Sequence, residues 1–266
     1  MGRIKDSFER AKNQESKALI TYYVAGDNNL NFSKKVFLKL LSYADIIEIG
    51  VPFSDPMAEG SVIQRSHERA LSSDITFSKI LSLVKELRIH NQDKPIVLMG
   101  YMNNFLSQGE NLFKKIKKAG VDGLIIVDLP YEESEFFYNK LKDIDLDLIR
   151  LISPTTPKKT IEKIVKFSSG FLYYVSFRGV TGAKLSNFKE VQDKVKYIKS
   201  KTKIPVVVGF GIKEGEIAQK MSKISDGVVV GRRLIDIIQQ KNFRLNDSLK
   251  FLEKSLKTFK RDVRKK

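Results

Sequence analysis

The chain has 266 residues, close to the about 250 of one α/β barrel and short for two ordinary domains. Hydrophobic residues make up 42% of it, enough for a sizeable core, and the absence of cysteine excludes disulfides and thiolate metal sites. Lysine and arginine number 48 against 31 acids, a formal charge of +17, but the lysines are interspersed with acids, which argues against a nucleic-acid-binding face.

The first residues, Met1-Gly2-Arg3-Ile4-Lys5-Asp6-Ser7-Phe8, form a charged amphipathic start without the apolar segment of a signal peptide, and they predict an extra N-terminal helix. An apolar run follows at 18–24. The next, at 45–51, carries Glu48 among Ile46, Ile47 and Ile49 and leads into Pro52-Phe53-Ser54-Asp55-Pro56. A helix is expected over 75–89, with Phe77, Ile80, Val84 and Leu87 on one stripe and Ser73 or Asp74 as its cap. Run 95–101 precedes a helix expected over 106–119, and run 123–128 ends in Asp128 before a helix over 132–141. Run 146–152 is followed by Thr156-Pro157, a cap and a first-turn proline that open another helix. Run 170–176 leads into a loop, 177–184, with Gly179 and Gly182 flanking Val180-Thr181. A helix over 188–198, run 204–210, run 227–231 and a helix over 232–239 complete the series. The basic tail from about 257 reads as frayed.

Each run is too short for a buried helix, and its near-continuous apolar character suits a strand covered on both faces. Roughly eight β–α units in a chain of this length predict a single α/β domain, a (β/α)8 TIM barrel, with an open doubly wound sheet as the other arrangement. No run reaches the ~20 apolar residues needed to cross a bilayer, so a soluble, cytoplasmic protein is expected.

In such a barrel, polar residues at the C-terminal strand ends carry the chemistry. Alternation turns Glu48 away from Ile47 and Ile49, toward the barrel interior, where an unpaired carboxyl would have its pKa raised into the range useful for proton transfer; a structural pairing with a buried cation is the other reading. Asp128 either meets substrate or bonds the backbone at its strand end. Gly209 and Gly211 close the seventh run, and Gly231 stands just before a helix that begins with Arg232. Glycines followed by a helix N-terminus at these two ends form a phosphate site, unless they are turn glycines only. Loop 177–184 is either a hinged cover, with Thr181 able to bond a carboxylate, or an ordinary connection. His67 and His90 lie in or near predicted helices and read as surface or helix-end residues. No metal-ligand spacing, Walker sequence or dinucleotide fingerprint occurs.

Segment 48–58, Glu-Ile-Gly-Val-Pro-Phe-Ser-Asp-Pro-Met-Ala, resembles the signature of tryptophan synthase alpha subunits. Asp128-Leu129-Pro130, the Gly179 to Gly182 loop and the Gly209-Phe210-Gly211 turn are similar to that family in the same order, so the likeness covers nearly the whole barrel. It implies a lyase of tryptophan biosynthesis that splits indole-3-glycerol phosphate into indole and glyceraldehyde 3-phosphate. It further implies Glu48 as general acid/base and Glu59 as the carboxylate that steadies the indole N–H, where the family usually has Asp. Tyr22, Tyr101, Asp128, Tyr173 and Thr181 would contact substrate, with Thr181 closing over Glu48, and Gly182, Gly211, Gly231 and Arg232 would hold the phosphate. Ser61 stands where the family usually has proline, and Arg232 where it usually has serine. The loops at 53–60 and 177–184 would face a beta subunit in an α2β2 heterotetramer; that partner carries pyridoxal phosphate and receives the indole through a channel, and this chain would carry no cofactor or metal. The other outcome is an impaired alpha subunit, altered by Glu59, that mainly binds and activates the beta subunit.

Overall fold

The computed structural model describes residues 2–109, 111–175, 188–209, 212 and 215–264. In chain order the elements are α1 (Arg3–Asn13), β1 (Ala18–Val24), α2 (Leu30–Tyr43), β2 (Ile46–Gly50), α3 (Ser61–Leu71), α4 (Phe77–His90) and β3 (Ile96–Gly100). There follow α5 (Met102–Leu106), α6 (Leu112–Ala119), β4 (Gly123–Ile126), α7 (Ser134–Lys142), β5 (Asp147–Ile152), α8 (Lys158–Lys166) and β6 (Leu172–Val175). The last six are α9 (Phe188–Lys201), β7 (Val206–Gly209), α10 (Gly215–Ser222), β8 (Gly227–Val230), α11 (Arg232–Gln240) and α12 (Leu245–Arg264).

The eight strands pair in sequence order, all parallel, and β1 closes the sheet against β8. The closed barrel decides between the two predicted arrangements. The register carries one inward-facing set around the sheet: Tyr22 lies beside Glu48, Glu48 beside Val97, Leu151 beside Tyr173, and Tyr173 beside Val207. Ile47, Ile49, Leu98 and Val208 take the alternate positions and are buried under the helices, which explains why the strands read as unbroken apolar runs. At the N-terminal end of the barrel, Asp122 receives Arg3, Arg88 and the Ile96 N–H, so a buried acid just ahead of β4 ties α1, α4 and β3 together.

Several boundaries differ from the sequence reading. Helix α4 begins at Phe77 and is capped by Thr76, whose hydroxyl accepts from Lys79 N at 3.3 Å. Ser73 is used elsewhere, donating to the Ala70 and Gly26 carbonyls at the end of α3, and Asp74 sits in a left-handed turn at φ 52° that no helix can continue. The helix expected over 106–119 is two helices, α5 and α6, because Gly109 breaks the run with a φ of 81°. Pro157 is itself the N-cap of α8, and Thr156 turns back to accept from Ser153 N at 3.0 Å.

The tail expected to fray is helical to Arg264. Leu252, Leu256, Phe259 and Val263 recur at spacings of four, three and four and are buried against α2 and α10, while Lys260 pairs with Asp45. A stripe of that period docks a helix whatever the charge of its outer face.

Candidate active site

Glu48 projects from the middle of β2 into the barrel with no exposed surface, and neither carboxyl oxygen has a hydrogen-bond partner among the described residues. Burial pushes its pKa up to about 8, so the group is mainly protonated at neutral pH. No cation among the described residues pairs with it. Two phenols flank it. Tyr22 of β1 and Tyr173 of β6 both have their pKa values raised well above the usual tyrosine range, first by burial and then by the Glu48 and Glu59 carboxylates.

The same local device seats both rings. A Cβ on Gly50 would lie 2.3 Å from the Tyr22 hydroxyl oxygen, and a Cβ on Gly209 would lie 2.3 Å from that of Tyr173. In each case the tyrosine leans along its strand over a glycine on the next one, since Val24 pairs with Gly50 and Val175 with Gly209. Those glycines are space for a phenol before they are turn residues.

Glu59 comes from the loop between β2 and α3 and is 2% exposed. Tyr101, just past the end of β3, donates its hydroxyl proton to Glu59 Oε2, and the Tyr101 hydroxyl oxygen in turn accepts from Ala58 N at 3.0 Å. Phe53 stacks on the Tyr101 ring, centroids 4.8 Å apart and planes 20° from parallel. Gln64 pins the loop from α3, donating to the Glu59 carbonyl at 2.9 Å. Burial raises the Glu59 pKa, and the Tyr101 and backbone bonds pull it back down. The barrel interior therefore holds two buried carboxyl groups in different surroundings: Glu48 without a hydrogen-bond partner among the described residues, and Glu59 bonded to Tyr101.

The family model described as "Tryptophan synthase alpha chain" matches residues 8–264. The chain belongs to this family. Tryptophan synthase alpha chains of Methanocaldococcus jannaschii and Janthinobacterium sp. (strain Marseille) are 40% and 44% identical to it over 253 and 241 residues. Those alignments cover 94% and 90% of this chain, and 90% and 91% of the relatives. The crystal structure of tryptophan synthase subunit alpha from Legionella pneumophila superposes with a TM-score of 0.89 at 34% identity, covering 99% of this chain and 98% of that one.

Of the residues expected to act, Glu48, Glu59, Tyr22, Tyr101 and Tyr173 are the ones brought to one place. Asp128 is exposed, and its Oδ1 accepts from Met102 N at 2.6 Å, so it bonds the backbone at the start of α5. Gly231 caps α11 without a side chain and lies against Tyr22, where a Cβ would come 3.1 Å from the ring. Arg232, 37% exposed, faces Asp236 one turn along the helix at 3.6 Å. Thr181, Gly182 and Gly211 lie outside the described residues.

His67 was expected at the surface and is instead 2% exposed on the inner face of α3, while His90 is exposed as expected. His67 Nδ1 accepts from Phe53 N at 3.1 Å and its Nε2 lies 3.3 Å from the Tyr22 hydroxyl. Burial lowers its pKa to about 4, so the ring is neutral. Helical periodicity held the signal: His67 falls between Ser66 and Ala70 on the buried side of the helix. Among the described residues no group of three His, Asp or Glu side chains is placed to hold a metal ion.

Proposed function

We propose that Glu48 and Glu59 are the acid/base and the charge-stabilising carboxylate with which this chain cleaves indole-3-glycerol phosphate, the family's reaction in tryptophan biosynthesis. Glu48 enters protonated and gives its proton to the indole ring carbon that carries the glycerol phosphate. The ring becomes a cation, and Glu59 accepts a hydrogen bond from its N–H as charge develops there. The Glu48 carboxylate then takes the proton of the adjacent hydroxyl, the carbon–carbon bond breaks, and its electrons return to the ring. Indole and glyceraldehyde 3-phosphate leave, and Glu48 is protonated again. Every proton is accounted for without a Schiff base or a metal.

The observation that carries this reading is the contrast between the two carboxyls, one buried without a partner and raised to about 8, the other held by Tyr101. The phosphate is assigned to the N-terminus of α11 at Gly231 and Arg232, together with Gly182 and Gly211, because no side chain caps that helix. Thr181 is assigned to close over Glu48, and Asp128 to orient substrate from the end of β4. The longer Glu59 is compatible with the chemistry because Tyr101 and Gln64 fix both ends of its reach.

The family's beta subunit is the partner, and an α2β2 assembly is proposed. Met57, in the loop that carries Glu59, and Leu106, at the end of α5, are both well exposed and offer apolar surface for it. A groove of about 530 Å³ lies behind the same loop, lined among others by Phe53, Phe77 and Ser107. Pyridoxal phosphate is assigned to the beta subunit and none to this chain, and the assembly to the cytoplasm. Glu48→Gln tests the chemistry: kcat for indole release should fall by about 10²-fold or more with the fold intact. Unchanged release would remove Glu48 from the mechanism.

A further inference from the structure

We propose that His67 is a positioning residue, which holds the Tyr22 hydroxyl as a hydrogen-bond donor into the site and locks the Glu59 loop to the barrel through the same ring. The inference rests on the reading of Glu48 and Glu59 given above.

The tautomer follows from the partners. A backbone N–H can only donate, so the His67 nitrogen facing Phe53 N, Nδ1 at 3.1 Å, is the bare one. In a neutral ring the proton is then on Nε2, which points at the Tyr22 oxygen 3.3 Å away. Tyr22 accepts there, and its own proton must turn elsewhere. The groups whose charge the phenol feels are Glu59, Tyr101, Glu48 and Tyr173, in that order, all of them in the site. The hydroxyl oxygen cannot drift away, because its ring is seated over Gly50 and flanked by Gly231.

The second half of the role lies in the loop. Phe53 is bonded to His67 through its N–H and stacked on Tyr101 through its ring, and Tyr101 donates to Glu59. His67 is thus the joint between the barrel wall, through Tyr22, and the loop that carries the second carboxylate. A displacement of about 1 Å at such a joint costs on the order of 100-fold in rate, so a residue that touches neither reacting carboxyl can still set kcat.

Two substitutions separate the bonds. In His67→Asn the amide oxygen sits near the place of Nδ1 and keeps the Phe53 bond while losing Tyr22. In His67→Gln the amide nitrogen sits near the place of Nε2 and keeps the Tyr22 bond. Indole release should show kcat about tenfold lower for His67→Asn, with KM within about twofold of wild type, and only partial recovery for His67→Gln, which regains the Tyr22 bond but lacks the Phe53 bond. Tyr22→Phe should lower kcat by a similar factor, and adding His67→Asn to it should cost little more, because the two act as one unit. Thermal melts monitor folding, and the partner's stimulation by each variant monitors docking. Wild-type kcat in His67→Asn, or losses that simply multiply in the double variant, would overturn the proposal. Glu48→Gln in the same assay keeps the two readings apart: an active Glu48→Gln sinks the acid/base assignment, while an inactive one beside a fully active His67→Asn sinks only the role of His67.

Discussion

Glu48 is costly to the fold in the form that the second half of the reaction needs. Its pKa is 4.5 in the unfolded chain and about 8 in the folded one, so the folded state holds the proton more tightly. Stability then falls as pH rises through that window, at about 1.4 kcal/mol per pH unit. Glu48→Gln removes the titration, and the stability of the variant relative to wild type should improve by about 2–3 kcal/mol between pH 5 and pH 7, read from denaturant unfolding at the two values. An unchanged difference would mean that Glu48 is ionised at neutral pH. The same group sets the activity profile. Cleavage that begins with proton donation should decline as pH rises through about 8, whereas a rate flat to pH 10 would exclude Glu48 as the initial acid. Tyr101 acts on the other carboxyl. Tyr101→Phe leaves Glu59 buried without its donor, and kcat should drop by about 10- to 100-fold with a smaller change in melting temperature. Equal losses in activity and stability would make the bond structural.

At the scale of elements, what was legible depended on whether one pattern had one physical cause. The strands were readable because a parallel barrel strand is buried on both faces, and 45–51 or 204–210 admit no other regular structure of that length. Glu48 stood out for the same reason, as a charge inside such a run. The end of the chain was misread because lysine and arginine density was weighed above the Leu252-Leu256-Phe259-Val263 stripe, yet the charges face water and the stripe faces α2 and α10. Phe259→Ala should accordingly cost about 3 kcal/mol in unfolding experiments, and a neutral substitution would restore the frayed reading. The break between α5 and α6 was written in Gly109, a single residue inside a helical period, and the α4 cap went to Thr76 because Ser73 was already bonded within α3. His67 was missed because a histidine's burial depends on its partners, and those partners, Phe53 N and Tyr22, come from other elements. The glycines at 50 and 209 were likewise opaque, since only the folded register brings a tyrosine over each.

At the scale of the whole molecule, the barrel keeps its two roles at opposite ends. The Asp122 network with Arg3 and Arg88 fastens the N-terminal end, and the loop that carries Glu59 lies at the other, with Met57 and Leu106 exposed there. No helix among the described residues is long and apolar enough to cross a membrane. Among the described residues, basic side chains on the outer helix faces find acids nearby, Lys39 and Lys257 meeting Glu253 and Lys199 meeting Asp226. The family's beta subunit completes the molecule, and the exposed loops predict that docking changes the state of the Glu59 loop and hence the rate. The most direct measurement is indole release from indole-3-glycerol phosphate by the purified chain, alone and with a beta subunit. Cleavage should rise with the partner and be lost in Glu48→Gln. No cleavage in either condition, with the beta subunit still stimulated, would contradict it and leave the chain an activating scaffold.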